Sequence, residues 1–428
     1  MPERRELSCH EAEFTAMTTN DSNKNSWLSP TMRQGHSLAA LLPIMATVFI
    51  AFLVIGIAMP VLPLHVHRGL ELSTFVVGLV AGSQFAAAIA SRVWAGRYAD
   101  ASGAKHAVIA GLIIAAAGGL LYFLSLRFVA MPAISVTILL FGRALLGVGE
   151  SFIITGAQSW GLAMLGVDNT GKVLAWIGSA MFGAFAAGAP IGTALYARYD
   201  FIGIALATTL LPLATLVLVV PLRRAPSTAR ARTGLLKVMA AVWVPGVGSA
   251  LSSIGFGAVI AFSALLFVGR GWPAWPAFSM FALAFILTRL FLGHLADRFG
   301  GAKVALICVI VEAAGLGLME LAPGLALALT GAALTGFGYS LVYPGLGVEA
   351  VRRVPAQSRG LAMGAYTAFL DVALGFGTPA LGLLASVAGL SAVFMVSAVA
   401  ALCAAPIAAS FLRASARRVT RTSLAACG

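Results

Sequence analysis

Runs of about 20 apolar residues follow one another along this chain with short polar stretches between them, the length a helix needs to cross the hydrocarbon core of a bilayer. A soluble helix alternates an apolar with a polar face, and these runs do not. With 60% hydrophobic and 10% charged residues, the 428-residue chain carries more apolar surface than a soluble core hides. The class implied is an all-α integral membrane protein. In order, the runs predict twelve spans at about 38–60, 73–94, 106–128, 134–163, 171–196, 201–221, 238–266, 273–292, 303–322, 324–350, 361–386 and 389–412. This divides the chain into a polar tail (1–36), a six-helix bundle (37–221), a basic linker (222–237), a second six-helix bundle (238–412) and a short tail (413–428). Residues 1–36 lack an apolar core of their own and read as a tail and not as a signal peptide.

The net charge of +13 raises the question of nucleic acid, but the basic residues form no stripe with interleaved aromatics. Placed on the twelve spans with the N-terminus inside, 21 of the 28 Lys and Arg residues fall on the inner side. Only Arg68, Arg127, Arg198 and Arg270 fall outside, and Arg92, Arg143 and Arg289 lie within spans. That asymmetry is the positive-inside pattern of an inner-membrane protein with both termini cytoplasmic, and it accounts for the charge without nucleic acid. The four cysteines, Cys9, Cys308, Cys403 and Cys427, show neither disulfide nor metal spacing. His65, His67 and Glu71 at an outer mouth lack a further ligand set, so no metal is expected.

The chain repeats itself. Arg92, Gly96, Asp100 and Gly103 recur as Arg289, Gly293, Asp297 and Gly300, all displaced by 197 positions. Gly147-Val-Gly149 matches Gly336-Phe-Gly338, and Gly188-Ala-Pro190 matches Gly377-Thr-Pro379, both displaced by 189. Three matches in one order indicate parallel six-helix repeats.

The hairpin reads G-x-x-x-D-x-x-G in both copies, and it resembles the signature between the second and third helices of major facilitator superfamily transporters. The resemblance implies that Gly96 permits close helix approach and that Asp100 latches a gate on the cytoplasmic side, near Arg359-Gly360. Gly103, Lys105, Gly293, Asp297 and Arg298 join that gate. The basic residue that follows the aspartate in the family is Ala101 in the first copy and Arg298 in the second. Arg143-Ala-Leu-Leu-Gly147-Val-Gly149-Glu150 is similar to the R-x-x-x-G-x-G signature of proton-linked carriers. Gly188-Ala-Pro190-Ile-Gly192 is similar to an exporter signature, though Thr193 replaces its last glycine. Ala180, Ala184, Gly188 and Gly192 also form a small-residue seam beside Pro190, suited to helix packing. Met59 to His67, Gly347 to Pro355 and Tyr366 to Asp371 resemble the YhhS/YfcJ-like bacterial group, with similarity running from about residue 38 to 412. That group is labelled for sugar or drug efflux.

A charge deep in a bilayer costs several kcal/mol and faces a cavity or a partner. Arg143 and Glu150, two turns apart, lie on nearly one face, where burial and the neighbouring cation pull on the acid's proton in opposite senses. They are the expected proton-coupling pair, or else a static ion pair. Asp371 sits about 11 residues into its span, roughly 16 Å deep. With Tyr339, Tyr343 and Gln158 it is expected to shape a substrate cavity, and Thr367 and Thr378 share its face. Glu312, in a helix that the resemblance implies is peripheral, is expected to be a packing or lipid-boundary acid.

These readings converge on a twelve-helix secondary transporter that works by alternating access. Its expected activity is proton-coupled export of a small polar or amphipathic molecule such as a sugar or drug. The driving force is the proton gradient, with no cofactor, and the unit is a monomer in the lipid bilayer. One alternative is a proton symporter or uncoupled importer in which Glu150 and Arg143 form a static pair. A more distant one is a non-transporting receptor on the same scaffold. No nucleophile elbow, phosphate loop or zinc-helix motif argues for an enzyme.

Overall fold

The computed structural model describes residues 30–165, 170–222, 235–293, 295–354 and 359–414. The expected linker falls almost wholly outside them, as do the ends of both tails. Residues 44–428 cluster as one compact unit; the preceding unit, 1–43, is described only from Pro30.

Nine described helices are long and apolar enough to cross a bilayer, and they are consistent with twelve segments. We label these α1 (Pro30–Ala58), α2 (Thr74–Ser102), α3 (Ala104–Leu126) and α4 (Pro132–Leu165). Helix Thr170–Val219 bends at Asp200, which is non-helical at φ 54°, into α5 (170–199) and α6 (201–219). Then come α7 (Leu235–Gly269), α8 (Pro276–Leu292), α9 (Gly301–Leu321) and α10 (Leu325–Val351). Helix Arg359–Leu402 bends at Gly389 into α11 (359–388) and α12 (390–402). The expected spans and these helices agree within a few residues, except that α1 begins earlier, at Pro30, α2 continues to Ser102, and α12 ends at Leu402, short of the expected 412. Gly96 and Asp100 therefore lie on the last turns of a helix and not in a loop.

The two turn glycines are conformationally equivalent. Gly103 (φ 95°) starts α3 and Gly300 (φ 89°) starts α9, in a backbone region that L side chains rarely adopt. They define one end of the molecule, called the turn end below. Large apolar side chains such as Phe141, Val217, Phe376 and Val387 remain exposed on outward helix faces, as bilayer contact requires.

Close glycine crossings make the repeat visible in three dimensions. Gly147 of α4 lies against the Gln84 carbonyl of α2, and Gly336 of α10 lies against the Phe281 carbonyl of α8. Gly149 lies on the Gly111 carbonyl of α3, and Gly338 on the Cys308 carbonyl of α9. Gly118 meets Gly142 as Gly315 meets Gly331. Each pair preserves the 197 and 189 displacements of the sequence. Small residues at these crossings let backbones approach closely, which is how helices associate where lipid removes the hydrophobic driving force.

The halves join chiefly where α2 meets α11. Far from the turn end, Gly78 and Gly82 lie against Thr378 and Pro379, Gly375 against Ala86, and Gly382 against Thr74 and Phe75. Nearer the turn end, Gly96 and Gly364 have no atom within 4 Å of where a Cβ would be, and Trp94 is 58% exposed. The expectation of close helix approach at Gly96 is thus corrected. Elsewhere on this stretch α2 stays packed on α4, with Trp94 and Tyr98 against Phe152. Gly293, its repeat, meets only the Arg289 carbonyl of its own helix.

Candidate functional site

Four polar side chains meet where α2, α4 and α11 come together. From α2, the Gln84 amide donates to Glu150 Oε2 on α4 at 2.6 Å. Also from α2, Arg92 Nη2 lies 2.5 Å from Asp371 Oδ2 on α11, an ion pair that bridges the two halves. Asp371 is buried, and the Arg92 side chain is 22% exposed. Asp371, Arg92 and Arg143 all lie near enough to act on the charge of Glu150. Gln84 and Arg92 are the residues that sequence reasoning missed as partners. The in-span position of Arg92, in a repeat unit opposite a span with one acid, was the available signal.

Arg143 and Glu150 do not pair. Their shared face leaves a rise of about 10.5 Å along the axis, and Glu150 turns to Gln84. Arg143 is buried near Tyr122, and its Nε and Nη1 atoms have no hydrogen-bond partner among the described residues. A small cavity beside Glu150 is otherwise apolar, lined by Ala51, Phe52, Ile55, Ala115, Leu146 and Ile153.

Tyr339 and Tyr343 diverge. Tyr339 is buried in an aromatic cluster, stacked on Phe256 at 4.9 Å, with its hydroxyl 3.3 Å from Ser253 Oγ. Tyr343 joins α10 to α11 through a hydroxyl contact with Thr367 at 2.5 Å, and Tyr366 donates to the Tyr343 carbonyl at 2.8 Å. Thr378 turns back to the Leu374 carbonyl of its own helix. Gln158 lies half-buried two turns beyond Glu150 toward the turn end, beside the buried Trp160.

Of the gate residues, Lys105 donates to the carbonyls of Val220 (2.6 Å) and Leu222 (2.7 Å), and so closes the end of α6. Arg298 sits over the Phe299 ring. Asp100 is engaged, while the Asp297 side chain and the expected contact at Arg359-Gly360 lie outside the described side chains. Gly188 packs on Gly56 and Ile57 of α1, and Gly192 on the Ile57 carbonyl, so the seam beside Pro190 joins α5 to α1.

Glu312 is not at a lipid boundary. It is fully buried, with Oε2 accepting from Ser252 Oγ of α7 at 2.5 Å. The outer histidines separate: His65 stacks on Phe201 at 3.9 Å, and His67 Nδ1 contacts the Leu72 carbonyl. Among the described residues no three His, Cys, Asp or Glu side chains group as metal ligands.

Internally repeated apolar helices around a polar centre define a multi-pass membrane carrier. The Major Facilitator Superfamily model matches residues 44–275 and 271–425, and the chain belongs to that family. It is 43% identical to an uncharacterized MFS-type transporter of Salmonella typhimurium over 385 residues, 90% of this chain and 99% of that one. It is 40% identical to an uncharacterized MFS-type transporter of Burkholderia pseudomallei over 367 residues, 84% of this chain and 89% of that one. Among solved structures it resembles a D-xylose-proton symporter (TM-score 0.71, 15% identity, 87% of this chain and 97% of that one). It also resembles the nucleoside transporter NupG (TM-score 0.69, 14% identity, 87% and 98%). The chain is therefore a secondary transporter and not an enzyme.

Proposed function

We propose that the chain is a proton-coupled exporter of a small polar or amphipathic molecule, with Glu150 as a proton carrier and Asp371 as its electrostatic partner across the halves. The observation that carries this reading is the juxtaposition of the Gln84–Glu150 hydrogen bond and the Arg92–Asp371 ion pair at the meeting of the two halves. Asp371, whose ion-pair partner belongs to the other half, exchanges that partner when the halves move, and it lies near enough to Glu150 to act on its charge. Protonating such a group weakens the bridge, so proton binding and rearrangement are linked. The static Arg143–Glu150 pair that the importer alternative requires is not formed, which favours coupling.

For direction, export follows from the likeness of the α5 seam to an exporter signature. The symporters among the structural relatives make symport the competing direction for the same machinery. We take the turn end as cytoplasmic in an inner-membrane protein, with Asp100 and Asp297 as gate residues. Tyr343, Gln158 and Asp371 would line the substrate path of a monomer without nucleic-acid contacts.

The test is proton movement in energised everted vesicles, followed with a pH-sensitive dye and a panel of sugars, antimicrobials and metabolites. A compound that collapses the gradient with wild type but not with Glu150→Gln or Asp371→Asn supports antiport and identifies the substrate class. Equal proton movement with Glu150→Gln removes Glu150 from the mechanism.

A further inference from the structure

The two halves carry their acids in different places. Displaced by 189 positions, Glu150 corresponds to Tyr339. Displaced by 197, Glu312 corresponds to Ala115, which lines the cavity beside Glu150. Each half therefore sets one carboxyl at the crossing of its equivalent helices, from α4 in the first half and from α9 in the second.

Among the described residues, no counter-charge pairs with Glu312. Ser252 donates to Oε2, and Oε1 is buried with no hydrogen-bond partner among the described residues. The ion pairs among the described residues are Arg92–Asp371, Arg270–Glu320 and Arg352–Glu349, and none includes Glu312. The titratable groups facing it are Cys308 of its own helix and Tyr339 of α10. α7 brings Ser252 and Gly255, α10 also brings the Gly338 backbone, and Asp371 of α11 is held by Arg92. An ionised carboxylate with one hydroxyl donor in such a place is strongly disfavoured, and protonation at Oε1 removes the uncompensated charge.

Packing does not require the acid. The same crossing is built in the first half with Ala115, where Gly111 meets Gly149 as Cys308 meets Gly338. What the second half gains is a group of hydroxyls: Ser252 donates to Glu312, and Ser253, next to it, contacts the Tyr339 hydroxyl.

We propose that Glu312 is a second proton-binding carboxyl of the transport cycle, housed in the second half and reached from the Ser252, Ser253 and Tyr339 hydroxyls. This rests on the reading that transport is proton-coupled. Loading forms one O–H bond on Oε1 with a proton taken from water, and unloading returns it; no other bond changes.

The experiment is infrared difference spectroscopy of the purified full-length protein in liposomes, in H2O and D2O, across the pH range in which it stays folded. Expected is a deuterium-sensitive C=O stretch of a protonated carboxyl that is lost in Glu312→Gln, shifted in Ser252→Ala, and lost from wild type as pH rises. A spectrum unchanged by Glu312→Gln overturns the proposal. So does a Glu312 band that persists at every pH, since a permanently protonated acid carries nothing. Should Glu312→Gln fail to fold, Ser252→Ala decides, and an unshifted band there overturns the proposal. Because the spectrum reads the proton without substrate or Glu150, it can fail while proton flux through Glu150 stands, and the reverse.

Discussion

Arg92 of α2 and Asp371 of α11 bridge the two halves with a 2.5 Å ion pair, while Arg289, the repeat of Arg92, lies over the Phe285 ring 5.7 Å away. The position that answers Asp371 in the first half is Phe182, which stacks on Phe285 at 3.6 Å. One inter-half junction is thus ionic and the other aromatic. The ionic one contains a titratable carboxyl, and the aromatic one does not.

A disulfide tests whether that junction opens during transport. A Cβ built at Gly375 would lie 3.4 Å from the Ala86 Cβ, close to the separation that a disulfide spans. Ala86→Cys with Gly375→Cys is expected to cross-link under oxidation, to stop transport, and to recover on reduction. Transport that continues at full rate in the cross-linked protein would show that α2 and α11 do not part.

Gly147→Ala and Gly336→Ala are expected to destabilise by similar amounts, about 1–3 kcal/mol each, because the added methyl meets a backbone carbonyl that cannot move aside. Gly96→Ala, with open space around it, is expected to leave thermal stability unchanged or slightly raised. Thermal unfolding of detergent-solubilised variants, read by size exclusion, separates the two outcomes. A destabilised Gly96→Ala would mean that the turn end closes in the dominant state.

Much of the fold was legible because the bilayer fixes span length and close crossings demand small residues. Gly147 and Gly336 could be matched in the sequence for the same reason that they now touch equivalent carbonyls. The site was legible in its charges and not in its partners. Glu150 and Asp371 stood out as acids in apolar runs, but Gln84 and Ser252 are neutral residues whose significance lies in facing an acid on another helix. Arg143 and Glu150 shared a helix face, yet a neighbouring helix offered Glu150 a nearer donor. Glu312 read as peripheral because a helix's place in a bundle does not say which way one side chain points.

Gly103 and Gly300 yield a prediction about strain. Both hold positive φ at the start of the following helix; an added methyl would meet only His106 Nδ1, at an ordinary 3.8 Å, at Gly103 and nothing at Gly300, but it forces an unfavourable backbone. Gly103→Ala and Gly300→Ala are each expected to cost about 1–3 kcal/mol, nearly additively, since they lie in different halves. Unfolding midpoints of the single and double variants check this, and a neutral substitution at either site would show that the turn relaxes.

Arg270, one of the few basic residues expected outside, closes the far end of α9. Its guanidinium donates to the carbonyls of Met319 (3.0 Å) and Glu320 (2.5 Å), pairs with the Glu320 carboxylate at 3.0 Å, and sits over the Trp272 ring. Those carbonyls lack helical partners, and a cation there also meets the negative end of the helix dipole. The side chain is a quarter exposed, so the whole arrangement is expected to contribute about 1–2 kcal/mol. Arg270→Lys should recover less than half of the loss in Arg270→Ala, because an ammonium cannot reach two carbonyls and a carboxylate with fixed fork geometry. Full recovery by lysine, measured as the unfolding midpoint at low and high salt, would reduce the role of Arg270 to its charge alone.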